Sequence, residues 1–231
     1  LTREGKDLLP EVVEAMASLV RASARIKRSM GELSVQLPPT FSLCWFLPRL
    51  PRLKAALPAL DVRVATHWTD APDFSRADVD VIVAHGDGNW TNVRAVPVMR
   101  EMLLPYCPAA VAAPLGGPAD LVQATLLHAN RDRGEWLAWL RGHGLGDVHF
   151  AHEQHFDTVH MCLEAARNGL GVAIADPALL DAAADDFNLV TPFESPVASG
   201  NGYYLTYPPE RAEQAKIVAF QAWLLNEARV P

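Results

Sequence analysis

From Gly31 onward the chain alternates between two hydrophobic periods. Leu33-Ser34-Val35-Gln36-Leu37 places an apolar side chain at every second position, the period of a strand with one buried face. Leu43, Phe46, Leu47, Leu50, Leu53 and Leu57 then recur at helical spacing, and Pro48 and Pro51 predict a kink or a late start for that helix. Val62–Thr66 and Val79–Ala84 read as the next strands. Strands alternating with a helix at this spacing indicate a parallel, doubly wound sheet.

Strand material from Val93 to Leu104 leads into Pro105-Tyr106-Cys107-Pro108, a crossover point, and a second α/β unit follows. It comprises a helix near Pro118–Gln123, a strand at Thr125–His128, and a helix through Trp136–Leu140 that stops at Gly142. A strand at Val148–Ala151 precedes a helix from about Asp157 to Asn168; Gly169 ends it and Gly171 opens the strand Val172–Ala175. Leu189-Val190 and Tyr203–Tyr207 run back toward the first unit, and a closing helix, Pro209–Glu227, carries Ile217, Phe220, Trp223 and Leu224 on one face. The expected fold class is α/β, two doubly wound lobes joined by two crossover strands, as in solute-binding proteins. Lobe I takes residues 31–104 and 203–231 and lobe II takes 105–202, with a hinge and a cleft between them.

Residues 1–30 read as a long leading helix. Leu9, Val12, Met16, Leu19, Ser23 and Ile26 recur at alternating steps of three and four, the seam of a coiled coil. The same stripe also suits an amphipathic helix lying on its own domain. Pairing with a second chain through Leu9, Val12, Met16, Leu19 and Ile26 is the expectation, because Gly31 ends the helix before any strand has begun.

Composition narrows the function. Half of the 231 residues are hydrophobic and a fifth are charged, a globular balance. The net charge of −7 argues against this segment gripping nucleic acid itself, although Arg21, Arg25, Lys27 and Arg28 form a basic cluster near the end of the first helix. No apolar run reaches the roughly 20 residues of a membrane span, and the opening residues lack the order of a secretory signal. Cys44, Cys107 and Cys162 are odd in number and widely spaced, which suits reduced thiols in the cytoplasm. The absence of an initial Met is expected of a fragment.

In doubly wound folds ligands sit beyond the carboxyl ends of strands, where helix N-termini supply unpaired N–H groups. Thr40 and Ser42 follow the first strand, and Asp157 and Thr158 lead the helix after the Val148–Ala151 strand. Facing one another, these groups are candidates to hold the carboxylate of a small metabolite. As plain N-caps they stabilise by about 1 kcal/mol each, and the two roles are compatible. Thr66, Asp73 and His85 lie in the loops after the second and third strands, and Tyr203 lies at the return crossing; these complete the candidate set. No nucleophile elbow, phosphate loop or His-Glu-x-x-His motif occurs, so no enzyme activity and no cofactor is assigned. His143, His149, His152, His155 and His160 fall close together with Cys162, but His149 and His152 would point to opposite faces of a strand, so no metal site is assigned either.

Several segments together resemble the LysR-type transcriptional regulators. Gly31-x-Leu33-x-Val35 with Pro39-Thr40-Phe41-x-x-x-Trp45-x-Leu47-Pro48 resembles the family's first strand and helix. Asp80-x-Ile82-x-x-x-Gly86-Asp87-Gly88-x-Trp90 is similar to its third strand and loop. Phe156-Asp157-Thr158 and Ala165-Ala166-x-x-Gly169-Leu170-Gly171 are similar to the core of its second lobe. The loop and the double-Ala helix resemble the subgroup of glycine-cleavage activators and β-lactamase regulators. The resemblance implies an effector-binding domain behind a linker helix, working as a homodimer or homotetramer. It also implies that promoter DNA is bound only by a winged helix-turn-helix preceding Leu1. A periplasmic-type solute-binding protein and a metal-responsive regulator are the alternatives.

Overall fold

Strand β1, Glu32–Leu37, buries Leu33, Val35 and Leu37 on one face, as its alternation requires. The computed structural model describes residues 2, 8, 12–14, 16, 31–66, 71–75, 78–129, 133–146, 150–180 and 187–229. β2, Asp61–Thr66, runs parallel to β1 along its whole length, and β3, Val81–Gly86, is parallel on the other side. Two long strands follow the pattern only in part. β4, Arg94–Tyr106, and β8, Val197–Tyr207, pair antiparallel with each other, and β8 also pairs antiparallel with β3. Between them in the chain lie β5, Thr125–His128, β6, His152–His155, and β7, Ala173–Ala175. The main sheet has the order β2-β1-β3-β8-β4-β7, and β5 and β6 form a second, parallel pair joined to it by a bridge from Leu126 to Val172. The sheet is therefore mixed rather than wholly parallel, because the chain returns to its first half against the direction in which it left.

Between β1 and β2 the backbone makes a wide π-helical turn, Phe41–Phe46, that runs into helix α1, Leu47–Ala56. Pro48 explains the widening. Its ring would clash with the carbonyl four residues back in a regular helix, and here the Leu47 N–H reaches five residues back to the Ser42 carbonyl instead. Further α-helices among the described residues are α2, Ala109–Ala112; α3, Gly134–Gly142; α4, Val159–Arg167; α5, Pro177–Leu180; and α6, Ala215–Glu227, and Pro118–Gln123 and Pro209–Arg211 are 3-10 turns.

One core packs Phe41, Phe46 and Leu53 with Ile217, Phe220, Trp223 and Leu224 of α6 over β1, β3 and β8. Others gather around the far end of β4 with β5, β7, Trp136, Trp139, Leu163 and Phe187. Each large apolar side chain contributes about 1.5–3 kcal/mol by leaving water. A buried ion pair ties α6 to the sheet: Lys216 Nζ donates to Asp80 Oδ2 and to the Glu32 carbonyl, both at 2.9 Å, while the Ser34 N–H donates to the same Asp80 oxygen. Removing one partner would strand a charge in a site only 1% exposed at Asp80.

A strand is found at His152–His155, and Phe150 and Ala151 of the expected Val148–Ala151 strand are not part of it. Residues 147–149 lie outside the described set, and Phe150 alone drops into the core. β6 is an edge strand with mostly exposed side chains, so His-Glu-Gln-His carries no hydrophobic alternation to announce it. Of the expected pairing seam, Leu9, Leu19 and Ile26 lie outside the described residues, as does the basic cluster. Val12 and Met16 are helical and exposed, together with Leu8 and Val13. Among the described residues no helix is long and apolar enough to cross a membrane.

Gly171 sits where the second half can least spare room. A Cβ there would lie 2.1 Å from the Thr125 carbonyl oxygen, against backbone held by the Val172 N–H to Thr125 bond of 2.9 Å. Gly171→Ala is expected to cost roughly 1–3 kcal/mol and to lower the melting temperature by several degrees in a thermal scan.

Candidate functional site

Pro38 and Pro39 end β1 and start the wide turn, and this places Thr40 opposite the start of α4. The His160 N–H donates to Thr40 Oγ1 at 3.0 Å, joining segments 120 residues apart. Thr158 is the N-cap of α4, and its Oγ1 accepts from the Met161 N–H at 3.2 Å. The positive end of α4 is thus capped by one hydroxyl of its own segment and one from the other half of the molecule. Cys44 Sγ approaches His160 Nδ1 at 3.7 Å just behind.

A cleft of ≈ 410 Å³, counting the space open at its mouth, lies beside this contact. Pro38, Pro39, Thr40 and Phe41 form one wall and Asp157, Thr158 and Val159 face them; His85, Glu101 and Tyr203, with Ala129 and Glu135, complete the lining. Five of the eight residues expected from sequence come together here: Thr40, His85, Asp157, Thr158 and Tyr203. The other three lie elsewhere. Ser42 is buried within the wide turn and is not part of the cleft lining. Thr66 lines a separate groove with Ser34, Gln36, Arg63 and Asp78. Asp73 is on an exposed loop, where its carboxylate accepts from the Ser75 N–H and hydroxyl.

Glu101 and Glu135 were not on the expected list. β4 and β8 slip in register between Arg100 and Met102, and this irregularity delivers Glu101 to the cleft. The one clue in the sequence is a glutamate inside otherwise strand-like Val96–Leu104. Glu101 Oε1 meets His85 Nε2 at 2.9 Å, and the His85 ring lies 5.0 Å from that of Tyr203. Burial by itself pulls the His85 pKa down. The hydrogen bond and charge of Glu101, with Glu135 and Asp176 nearby, more than offset this, so it is raised. Asp176, 2% exposed, is pushed up to about 7, chiefly by burial, with Glu101 adding to the shift and the Ala178 N–H opposing it from 2.9 Å. Tyr203 is held well above its ordinary value, first by burial and then by the surrounding acids.

The chemistry elsewhere is structural. Burial pushes Cys44 and Cys107 up to about 11 and Cys162 to about 12, so none is a thiolate at neutral pH. Of the clustered histidines, His143 lies against Trp139, His155 stacks on His128 and His160 faces Phe187, while His149 lies outside the described residues. Among the described residues no three His, Cys, Asp or Glu side chains converge to hold a metal ion. The Gly86-Asp87-Gly88-x-Trp90 loop locks β3 to β8. Trp90 meets Tyr204 edge-on at 5.6 Å, and Gly88, at φ +84, leaves no room for a Cβ beside the Tyr204 ring.

Residues 27–229 match the LysR substrate binding domain. The chain belongs to the LysR family of transcriptional regulators. It is 34% identical over 234 residues to the glycine cleavage system transcriptional activator of Escherichia coli strain K12, across 99% of this chain and 76% of that protein. It is 35% identical over 236 residues to the transcriptional activator AmpR of Pseudomonas aeruginosa, across 100% of this chain and 78% of the relative. The solved effector domain of P. aeruginosa AmpR superposes with a TM-score of 0.77 at 35% identity, covering 85% of this chain and 95% of that one. The effector binding domain of Citrobacter freundii AmpR gives 0.75 at 26% identity, covering 85% and 98%. The fold is that of LysR effector-binding domains, and the relatives are regulators rather than enzymes. LysR-type regulators bind small-molecule effectors and DNA, and the comparisons favour neither a solute carrier nor a metal sensor.

The raised acid in this LysR domain sets a pH dependence. An Asp whose folded-state pKa lies above its unfolded value costs nothing below about 4, and its cost grows until the pH passes about 7. Asp176→Asn keeps an acceptor for the Ala178 N–H and removes the charge. The variant is expected to match the parent in melting temperature near pH 4 and to exceed it by a widening margin up to pH 7, worth roughly 2–4 kcal/mol in chemical denaturation above that.

Proposed function

We propose that the cleft between Thr40 and Thr158 is where the effector binds, and that its occupancy changes how the full-length regulator engages promoter DNA. One observation carries the reading: the Thr40–His160 hydrogen bond closes the cleft between the two halves at the N-terminus of α4. A ligand acceptor placed there competes with Thr40 for the same amide, so binding and the disposition of the halves are thermodynamically coupled. Thr40, Thr158 and Tyr203 supply hydroxyls, and His85 and Asp157 supply ionisable groups. The C. freundii effector domain has also been solved with a threonine changed to valine, a serine to alanine and a tyrosine to phenylalanine. Threonine and tyrosine hydroxyls, those of Thr40, Thr158 and Tyr203, line the cleft here as well, which supports assigning them to the effector.

The finer organisation follows the same reading. The regulator acts in the cytoplasm as a homodimer or homotetramer paired through the seam of Val12 and Met16 with Leu9, Leu19 and Ile26, and promoter DNA is contacted by a part of the protein outside this sequence. The exposed apolar side chains of Leu8, Val12, Val13 and Met16 support the pairing role.

Thr40→Val combined with Thr158→Val in the full-length protein is expected to weaken the effector response of a promoter reporter at least tenfold, since each lost hydrogen bond to a charged group is worth about 1.5–3 kcal/mol. Regulation unchanged in that double variant would sink the reading. A chain beginning at Gly31 is expected to associate more weakly than the full 231 residues in sedimentation equilibrium.

A further inference from the structure

The identity of the cleft as the effector site, on which this inference rests, says nothing of what the effector carries. The lining itself is one-sided in charge. Among the described residues that line the cleft, Glu101, Glu135 and Asp157 are acids, His85 is the sole ionisable base, and there is no Lys or Arg. His85 is already committed to Glu101 Oε1 at 2.9 Å. The other oxygen, Glu101 Oε2, is buried with no hydrogen-bond partner, on a residue only 6% exposed. An interior carboxylate oxygen without a donor is costly, so this position calls for a donor brought from outside. Glu135 is close enough that its charge, like that of Glu101, acts on both His85 and Tyr203.

The opposite wall has the reverse polarity. There α4 begins, nine residues long, with Thr40 and Thr158 at its first amides. An ammonium meets an acceptor such as Glu101 Oε2 well: it is compact, cationic, and able to donate three hydrogen bonds.

We infer that the cleft selects a small ligand bearing a protonated primary amine, its ammonium seated on Glu101 Oε2 beside Glu135 and its acceptor end turned toward the start of α4. Glu101 is then the residue that sets specificity, and His85 holds the Glu101 carboxylate in position.

Titration calorimetry on this chain tests the assignment. The probes are the twenty common amino acids, their dipeptides with alanine, linear diamines, and the N-acetyl and des-amino counterpart of each. Binders are expected among the amine-bearing members, with N-acetylation weakening each at least tenfold. Glu101→Gln is expected to weaken binding at least tenfold and Glu135→Gln at least threefold, with the unliganded melting temperature of each variant recorded alongside. If Glu101→Gln does not fold, the acetylation comparison and the more exposed Glu135→Gln decide. Equal binding of amine-free acids, unaltered affinity in a folded Glu101→Gln protein, or silence of the whole panel would each overturn the amine assignment. None of these touches the effector reading, which stands or falls on the Thr40→Val, Thr158→Val reporter.

Discussion

The antiparallel pairing of β4 with β8 is the constraint on which the rest of the molecule hangs. These strands of 13 and 11 residues run through both halves, carrying β3 on one flank and β7 on the other. Pro97 has no N–H to give to the ladder, and the first register slip falls there, between Pro97 and Met99; the second follows between Arg100 and Met102. The slips place Glu101 and Tyr203 at the cleft, where His85, paired with Tyr203 across β3 and β8, meets them both. A continuous ladder would have spent Glu101 on the flat of the sheet.

The cleft is built from two walls of opposite electrostatic character whose contacts cross between the halves. On one side, acids crowd a single histidine; on the other, a helix start is capped partly from across the gap. The halves also exchange packing, since Leu179 of α5 joins the first core and Cys44 of the wide turn joins the second. Any change at the cleft therefore reaches both cores at once, through side chains that are already close-packed.

How much of this was legible in the chain depended on whether a residue's role is local. β1 and β2 show in Leu33, Val35 and Leu37 and in Val62 and Val64 because one face of each is buried along its length. Thr40 and Thr158 were readable because both follow a strand and open a helix, an arrangement written in neighbouring residues. Ser42, two residues past Thr40 in the same turn, is buried away from the cleft, and the sequence offers no sign of which of the two hydroxyls faces it. β6 escaped because an exposed edge strand has no apolar side to reveal. Glu101 and Glu135 were invisible as cleft residues, since their placement depends on a register slip and on how α3 docks, neither of which leaves a mark in local periodicity.

The hydrogen bond from the Thr206 hydroxyl to the Ile82 carbonyl spans 124 residues. During synthesis at about 5–20 residues per second, β3 waits roughly 6–25 s for the strand that completes its sheet. The intervening chain, from β4 to β7, holds most of its own core and emerges first. A nascent chain thus carries an open sheet edge, with Val81 and Val83 awaiting α6, until β8 and α6 have left the ribosome. That interval falls on the half that holds Thr40 and His85.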